Sequence, residues 1–150
     1  MTQRMNYYAA APEGLKALLN VEAYLKTGGV EPPLLHLVKT RVSQLNGCAF
    51  CLHMHTTEAR KDGESEARLY LLNAWQESAL FSPRERAALA WAEALTSVTE
   101  GHVPDTVYDQ ARAQFSEKEL ADLSIAVAMI NGWNRIAIAF RAQHPNDRRS

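Results

Sequence analysis

An excess of charge of one sign is what this sequence most plainly lacks. Sixteen basic and 17 acidic residues leave a formal net charge of −1 over 150 residues. Near-neutrality supplies no electrostatic footprint for nucleic acid or an anionic membrane, and neither is expected as a partner. Long apolar runs are missing too. The most nearly continuous stretch, 123–140, is broken by Ser124, Asn131, Gly132, Asn134 and Arg135, which reads against a membrane span. Residues 1–11 lack the basic start and apolar stretch of a secretion signal, so the reducing cytoplasm is the expected compartment. Strand-like alternation, internal repeats, low-complexity segments and linkers are also absent. The expectation is one all-α domain over 1–150, with 47% hydrophobic residues to build a substantial core.

Cysteine is scarce, and its placement is the most informative feature present. The only two, Cys48 and Cys51, stand in the run Asn46-Gly47-Cys48-Ala49-Phe50-Cys51-Leu52-His53-Met54-His55. In a reducing compartment such a pair points to redox or metal chemistry rather than to a static crosslink.

Helix punctuation frames this run. A first helix is predicted from Pro12 to about Lys26, ending at Gly28-Gly29. Pro32-Pro33 opens a second, with Leu34, Leu37, Val38, Val42 and Leu45 at helical spacing and Asn46-Gly47 as its stop. The cysteine helix follows over about 48–61, closed by Gly63, and another is predicted over 65–76. Ser82-Pro83-Arg84-Glu85 and Ser116 with Glu119 are capping boxes, opening a helix through Val98 and a long last helix to about Arg141. Between them Val103-Pro104 leads a helix to about Phe115. The last helix has two apolar stripes: Leu120, Leu123, Val127 and Ile130, and Met129, Trp133, Ile136 and Phe140. A helix apolar on two sides is central to the core or shared with a second subunit, and a homo-oligomer is expected. The polar tail from Gln143 reads as frayed.

On a helix, Cys48, Cys51 and His55 fall within an arc of about 60°. Cys51 and His55 are one turn apart, so His55 is placed to take a proton from Cys51 as a general base. Cys48 lies at the helix start, where unpaired N–H groups favour thiolate and where solvent or a partner disulfide is expected to reach it. His53 points more than a right angle away from Cys48. Two other readings compete: a zinc site short of one ligand, since no second cysteine pair exists, and two thiols buried in a helical core. Gln44 is a candidate for bonding near the thiols, and Arg41 for pairing with a carboxylate. Asn131, Trp133 and Asn134 look like the edge of a site or interface, or, for the asparagines, buried amides tying helices together.

The stretch 34–60, with Arg41-Val42-Ser43-Gln44-Leu45-Asn46-Gly47-Cys48-Ala49-Phe50-Cys51 and His55, resembles alkyl hydroperoxidase D-like (AhpD-like) proteins of the carboxymuconolactone decarboxylase superfamily. The resemblance continues through Trp75-Gln76-Glu77, Phe81-Ser82-Pro83-Arg84-Glu85 and Asn131-Gly132-Trp133-Asn134-Arg135. It implies a compact multi-helix domain with the cysteine pair at the start of a central helix, assembled as a trimer or hexamer. It also implies thiol-dependent peroxidase or disulfide reductase activity, with no cofactor or metal. A hydroperoxide would be the substrate, and a lipoyl or thioredoxin-like protein the thiol reductant. By analogy Cys51 is the peroxidatic thiol and Cys48 the resolving, more accessible one. Such proteins usually carry a glutamate twelve residues before the first cysteine, in a proton relay to the histidine; that position here is His36, making the relay His36–His55–Cys51. Glu31 and Glu58 are the carboxylates considered as substitutes, Glu31 lying before the helix and Glu58 off the Cys51 face. The alternatives are a non-enzymatic redox sensor or binding oligomer, and a lactone decarboxylase, whose chemistry does not depend on such a cysteine pair.

Overall fold

Proline and serine starts, together with glycine stops, place the helices largely where the sequence puts them. The structure, a computed structural model, describes residues 1–144; of the tail expected to fray from Gln143, residues 145–150 lie outside the described residues. It contains eight α-helices and, among the described residues, no strand. They are α1 (Tyr7–Ala10), α2 (Pro12–Lys26), α3 (Pro32–Asn46), α4 (Ala49–Lys61), α5 (Glu66–Leu71), α6 (Pro83–Thr96), α7 (Asp105–Gln114) and α8 (Glu117–Phe140). Both capping boxes form: Ser82 and Glu85 bond reciprocally at the start of α6, and Ser116 and Glu119 at the start of α8.

The α3 helix is the centre of the bundle, packing on α4, α6 and α8. Its Leu34, Leu37, Val38 and Val42 are buried as the spacing predicts, whereas Leu45 is exposed. By length and composition alone α8 passes for a membrane helix. One of its stripes, Leu120, Leu123, Val127 and Ile130, is buried in the main core, which is the use a central helix makes of such apolarity. The second stripe is half-buried, and residues near the N-terminus cover its end, where Tyr7 stacks on Phe140 with ring centroids 5.6 Å apart.

Two local departures have physical causes. The helix expected over 65–76 stops at Leu71 and tightens into a 3₁₀ turn, Leu72–Ala74. Leu72 and Trp75 are both buried in a second apolar cluster with Leu37 and Phe81; residues three apart eclipse in a 3₁₀ turn but diverge on an α-helix. The four-residue α1 is too short to show periodicity. It is held by Asn6, whose side chain accepts from the Ala9 N–H at 3.1 Å, and by Arg4, whose N–H donates to the Phe140 carbonyl at 3.0 Å.

Candidate active site

A two-residue link between α3 and α4 builds the cysteine site. Gly47 takes the left-handed conformation, φ +67°, which spares any other residue's Cβ strain. The Cys48 N–H then donates back to the Ser43 carbonyl at 3.1 Å, closing a Schellman turn. Just before it, the Asn46 amide donates to Asn134 at 2.8 Å and to Asn131 at 3.0 Å, and Asn134 donates to the Ser43 hydroxyl at 3.0 Å. The asparagines are thus amides that tie α3 to α8. The turn leaves Cys48 as the N-cap of α4, its sulfur accepting from the Cys51 N–H at 3.3 Å. The two cysteines are disulfide-bonded, with Cα atoms 5.4 Å apart.

Both sulfur-bearing residues are only 1% exposed and belong to the main core cluster. The expectation of an accessible Cys48 is therefore corrected: capping the helix turns its side chain inward, over the first turn of α4. Cys51 instead opens on a cavity of about 240 Å³, together with His55. The cavity wall is mostly apolar, with Tyr7, Tyr8, Leu19, Phe50, Met54 and Trp133. Burial pushes the Tyr7 hydroxyl up, and Tyr8 beside it adds to the effect.

His55, 6% exposed, has Glu58 as its partner, with Nδ1 3.2 Å from Oε2. That bond is the main reason the Glu58 carboxyl lies below the usual range, with the His55, His36 and Lys39 charges adding to it against the opposing effect of burial. Glu58, read from the sequence as off the Cys51 face, reaches His55 and lines the same cavity. In the opposite wall Glu22 accepts from Trp133 Nε1 at 3.0 Å and pairs with Lys39.

His36 is not joined to this group by a hydrogen bond. Its Nε2 lies 2.7 Å from Asp62 Oδ2, and it lines a neighbouring space of about 410 Å³ that shares Lys26, Lys39 and Glu58 with the cysteine cavity. His53 stacks on His144, with centroids 3.4 Å apart, away from the cavity wall. Gln44 accepts from Arg41 rather than bonding near the thiols, and Arg41 pairs with Glu93 at 2.7 Å. The sequence reading missed Tyr7, Tyr8, Glu22 and Lys39. Of the two carboxylates in the wall, only Glu58 carried a local signal, its spacing of three from His55.

The sequence profile of the carboxymuconolactone decarboxylase family matches residues 10–94. The uncharacterised protein YdfG of Bacillus subtilis is 46% identical over 93% of this chain and 95% of its own. Among solved structures, a protein of unknown function from Agrobacterium tumefaciens, proposed to be the antioxidant defence protein AhpD, superposes with a TM-score of 0.93 at 44% identity. That match covers 96% of this chain and 99% of the other. An uncharacterised peroxidase-related protein from Ralstonia eutropha, described as an alkylhydroperoxidase AhpD core, superposes with a TM-score of 0.81 over 94% of this chain and 75% of its own. At 19% identity it shares the fold.

Proposed function

The chain belongs to the carboxymuconolactone decarboxylase family and has its AhpD-like fold, and from that premise we propose that it is a thiol-dependent hydroperoxide reductase. The observation that carries the reading is the shared cavity: Cys51 and His55, one helical turn apart, face the same apolar space while Glu58 holds the imidazole.

In the proposed cycle the disulfide is first reduced to two thiols. His55 takes the Cys51 proton, and the thiolate attacks the outer oxygen of the hydroperoxide. The O–O bond breaks, Cys51 becomes a sulfenic acid, and the leaving alkoxide takes the proton from His55 to depart as an alcohol. The Cys48 thiol attacks the Cys51 sulfur, its proton leaves with the sulfenic hydroxyl as water, and the disulfide forms. An external dithiol, a lipoyl or thioredoxin-like protein, returns the pair to thiols and is itself oxidised to a disulfide. The reductant meets Cys51, the cysteine that opens on the cavity. Cys48 leaves as thiolate, with the Cys51 N–H and the start of α4 to stabilise its charge. Burial of the pair keeps bulk water and unrelated thiols from the sulfenic acid. Decarboxylation of a lactone has no use for this arrangement. We place the protein in the cytoplasm, as a single domain forming a homo-oligomer, a trimer or hexamer.

The test is consumption of an organic hydroperoxide with lipoyl and thioredoxin donors in turn. Cys51→Ser abolishes turnover, and Cys48→Ser stops after one equivalent with a sulfenic acid or mixed disulfide on Cys51, read by mass. Equal, substantial turnover in the wild type and both variants overturns the proposal. Disulfide formation without catalytic consumption supports a redox sensor instead.

A further inference from the structure

Besides its tyrosines, the wall of the Cys51 cavity carries five ionisable side chains: Glu22, Lys26, Lys39, His55 and Glu58. Lys39 is ion-paired with Glu22, and His55 is hydrogen-bonded to Glu58. Lys26 has no side-chain hydrogen bond or ion pair among the described residues. It also lines the neighbouring space, to which Lys61 contributes a second ammonium without an ion-pair partner among the described residues. The place where the two spaces adjoin therefore holds two ammonium groups without an ion-pair partner among the described residues, beside an aromatic and aliphatic wall. Lys26 stands in the last turn of α2, where carbonyl ends favour a cation. That explains a basic residue there but gives its ammonium no side-chain partner at the cavity.

The volume limits what fits. An apolar cavity of about 150 Å³ accommodates benzene, so the 240 Å³ here takes a single ring with short substituents. A space of this size is about 8 Å across, close to the span of a para-disubstituted ring bearing a peroxide and a carboxylate.

We propose that the substrate is an aryl-sized organic hydroperoxide bearing a carboxylate, its ring against Phe50 and Trp133, its carboxylate on Lys26, and its O–O bond at Cys51. This rests on the hydroperoxide reading above. Glu22 and Glu58 face the same space; Lys39 pairs with the first and His55 hydrogen-bonds the second, which leaves Lys26 as the ammonium to which a ligand carboxylate can bind.

The test compares cumene hydroperoxide bearing a para-carboxylate with its methyl ester, and uses the two corresponding alcohols as unreactive ligands. The wild type binds the acid alcohol about fivefold to tenfold more tightly than the ester and favours the acid hydroperoxide in kcat/KM by a similar factor. Lys26→Gln removes the preference by weakening the acid alone, Lys26→Arg keeps it, and added salt erodes it in the wild type. Equal binding of acid and ester by the wild type overturns the proposal, as does an acid preference that survives Lys26→Gln. Tight, Lys26-dependent binding of the acid alcohol with no turnover of either hydroperoxide leaves the anion site standing and overturns the peroxidase reading.

Discussion

Glu58→Gln isolates the carboxylate that holds the proposed base. The substitution keeps the shape of the side chain and one acceptor oxygen while removing its charge. At neutral pH Glu58 is an anion, because its bond to His55 holds its carboxyl below the ordinary value. When His55 accepts the Cys51 proton, a cation forms against that anion at 3.2 Å. Two unit charges so placed attract by about 1 kcal/mol in water and about 5 kcal/mol at an effective dielectric constant of twenty. The His55 side chain is 7% exposed but that of Glu58 is 49% exposed, so solvent screening selects the lower end, about 1–2 kcal/mol. Because the pair of charges exists only once the proton has moved, that energy falls on the barrier. The expected loss is roughly tenfold in the rate of sulfenic acid formation. The assay mixes fully reduced protein with hydroperoxide in a stopped-flow instrument and follows the fluorescence of Trp133 in the cavity wall. Since the Glu58 pKa is depressed, its charge is complete above the ordinary carboxylate range and is lost as pH falls through the lowered value. The ratio of wild-type to variant rate is therefore flat from about pH 5 upward and closes only in acid. Equal rates at pH 7 and coincident profiles would refute the idea that this carboxylate supports the base.

Asp122 is a separate test of electrostatics, in stability rather than rate. Its buried carboxylate accepts from the Gly29 N–H at 3.0 Å, the Tyr24 hydroxyl at 2.6 Å and the Lys118 ammonium at 2.6 Å. The Gly29 bond is the largest of the influences that bring its pKa to about 2. Asp122→Asn should cost about 2 kcal/mol at pH 7, a ceiling because Lys118 reaches it from solvent. A depressed carboxyl contributes above its unfolded pKa, so the gap in urea stability narrows as pH falls from 4 towards 2, and a gap independent of pH contradicts the assignment. His36→Glu, which restores the carboxylate of the family pattern, places it against Asp62, now 2.7 Å from His36 Nε2, and near the charge of Glu58. It is expected to lower stability by about 1 kcal/mol and bring no gain in peroxide rate. A faster reaction with unchanged stability would mean that position 36 serves the thiol directly.

The helices were legible because their punctuation is local. Pro32-Pro33, the Gly47 stop and both serine capping boxes act within one turn of the chain, and each helix end they mark is observed. The cysteine turn was legible for the same reason. What could not be read depends on distant contacts. Arg4 reaches the Ala139 and Phe140 carbonyls at the far end of α8, and that long-range anchoring swings Tyr7 and Tyr8 into the cavity wall. Glu22 joins the wall only because α2 packs on α8 and brings it to Trp133. The inward turn of Cys48 was missed for a different reason. The N-cap position implied solvent, but its sulfur is engaged in capping the helix and in the disulfide.

The departure at position 36 reads, from sequence, as a relay His36–His55–Cys51 in which a histidine stands where a carboxylate is usual. Around α4 the balance is kept by other means. His55 takes its carboxylate from Glu58 on its own helix, and His36 takes Asp62 from the residue that follows α4. Each imidazole has one acid, and the Glu58 carboxyl senses both histidines. A glutamate at position 36 would set a third carboxylate beside Asp62 and Glu58, in a space that Lys26, Lys39 and Lys61 also line. Histidine at 36 supplies Asp62 with a hydrogen-bond partner that a glutamate would not. The support for the proposed base has moved from the neighbouring helix onto the cysteine helix itself, where spacing alone holds the two groups in register.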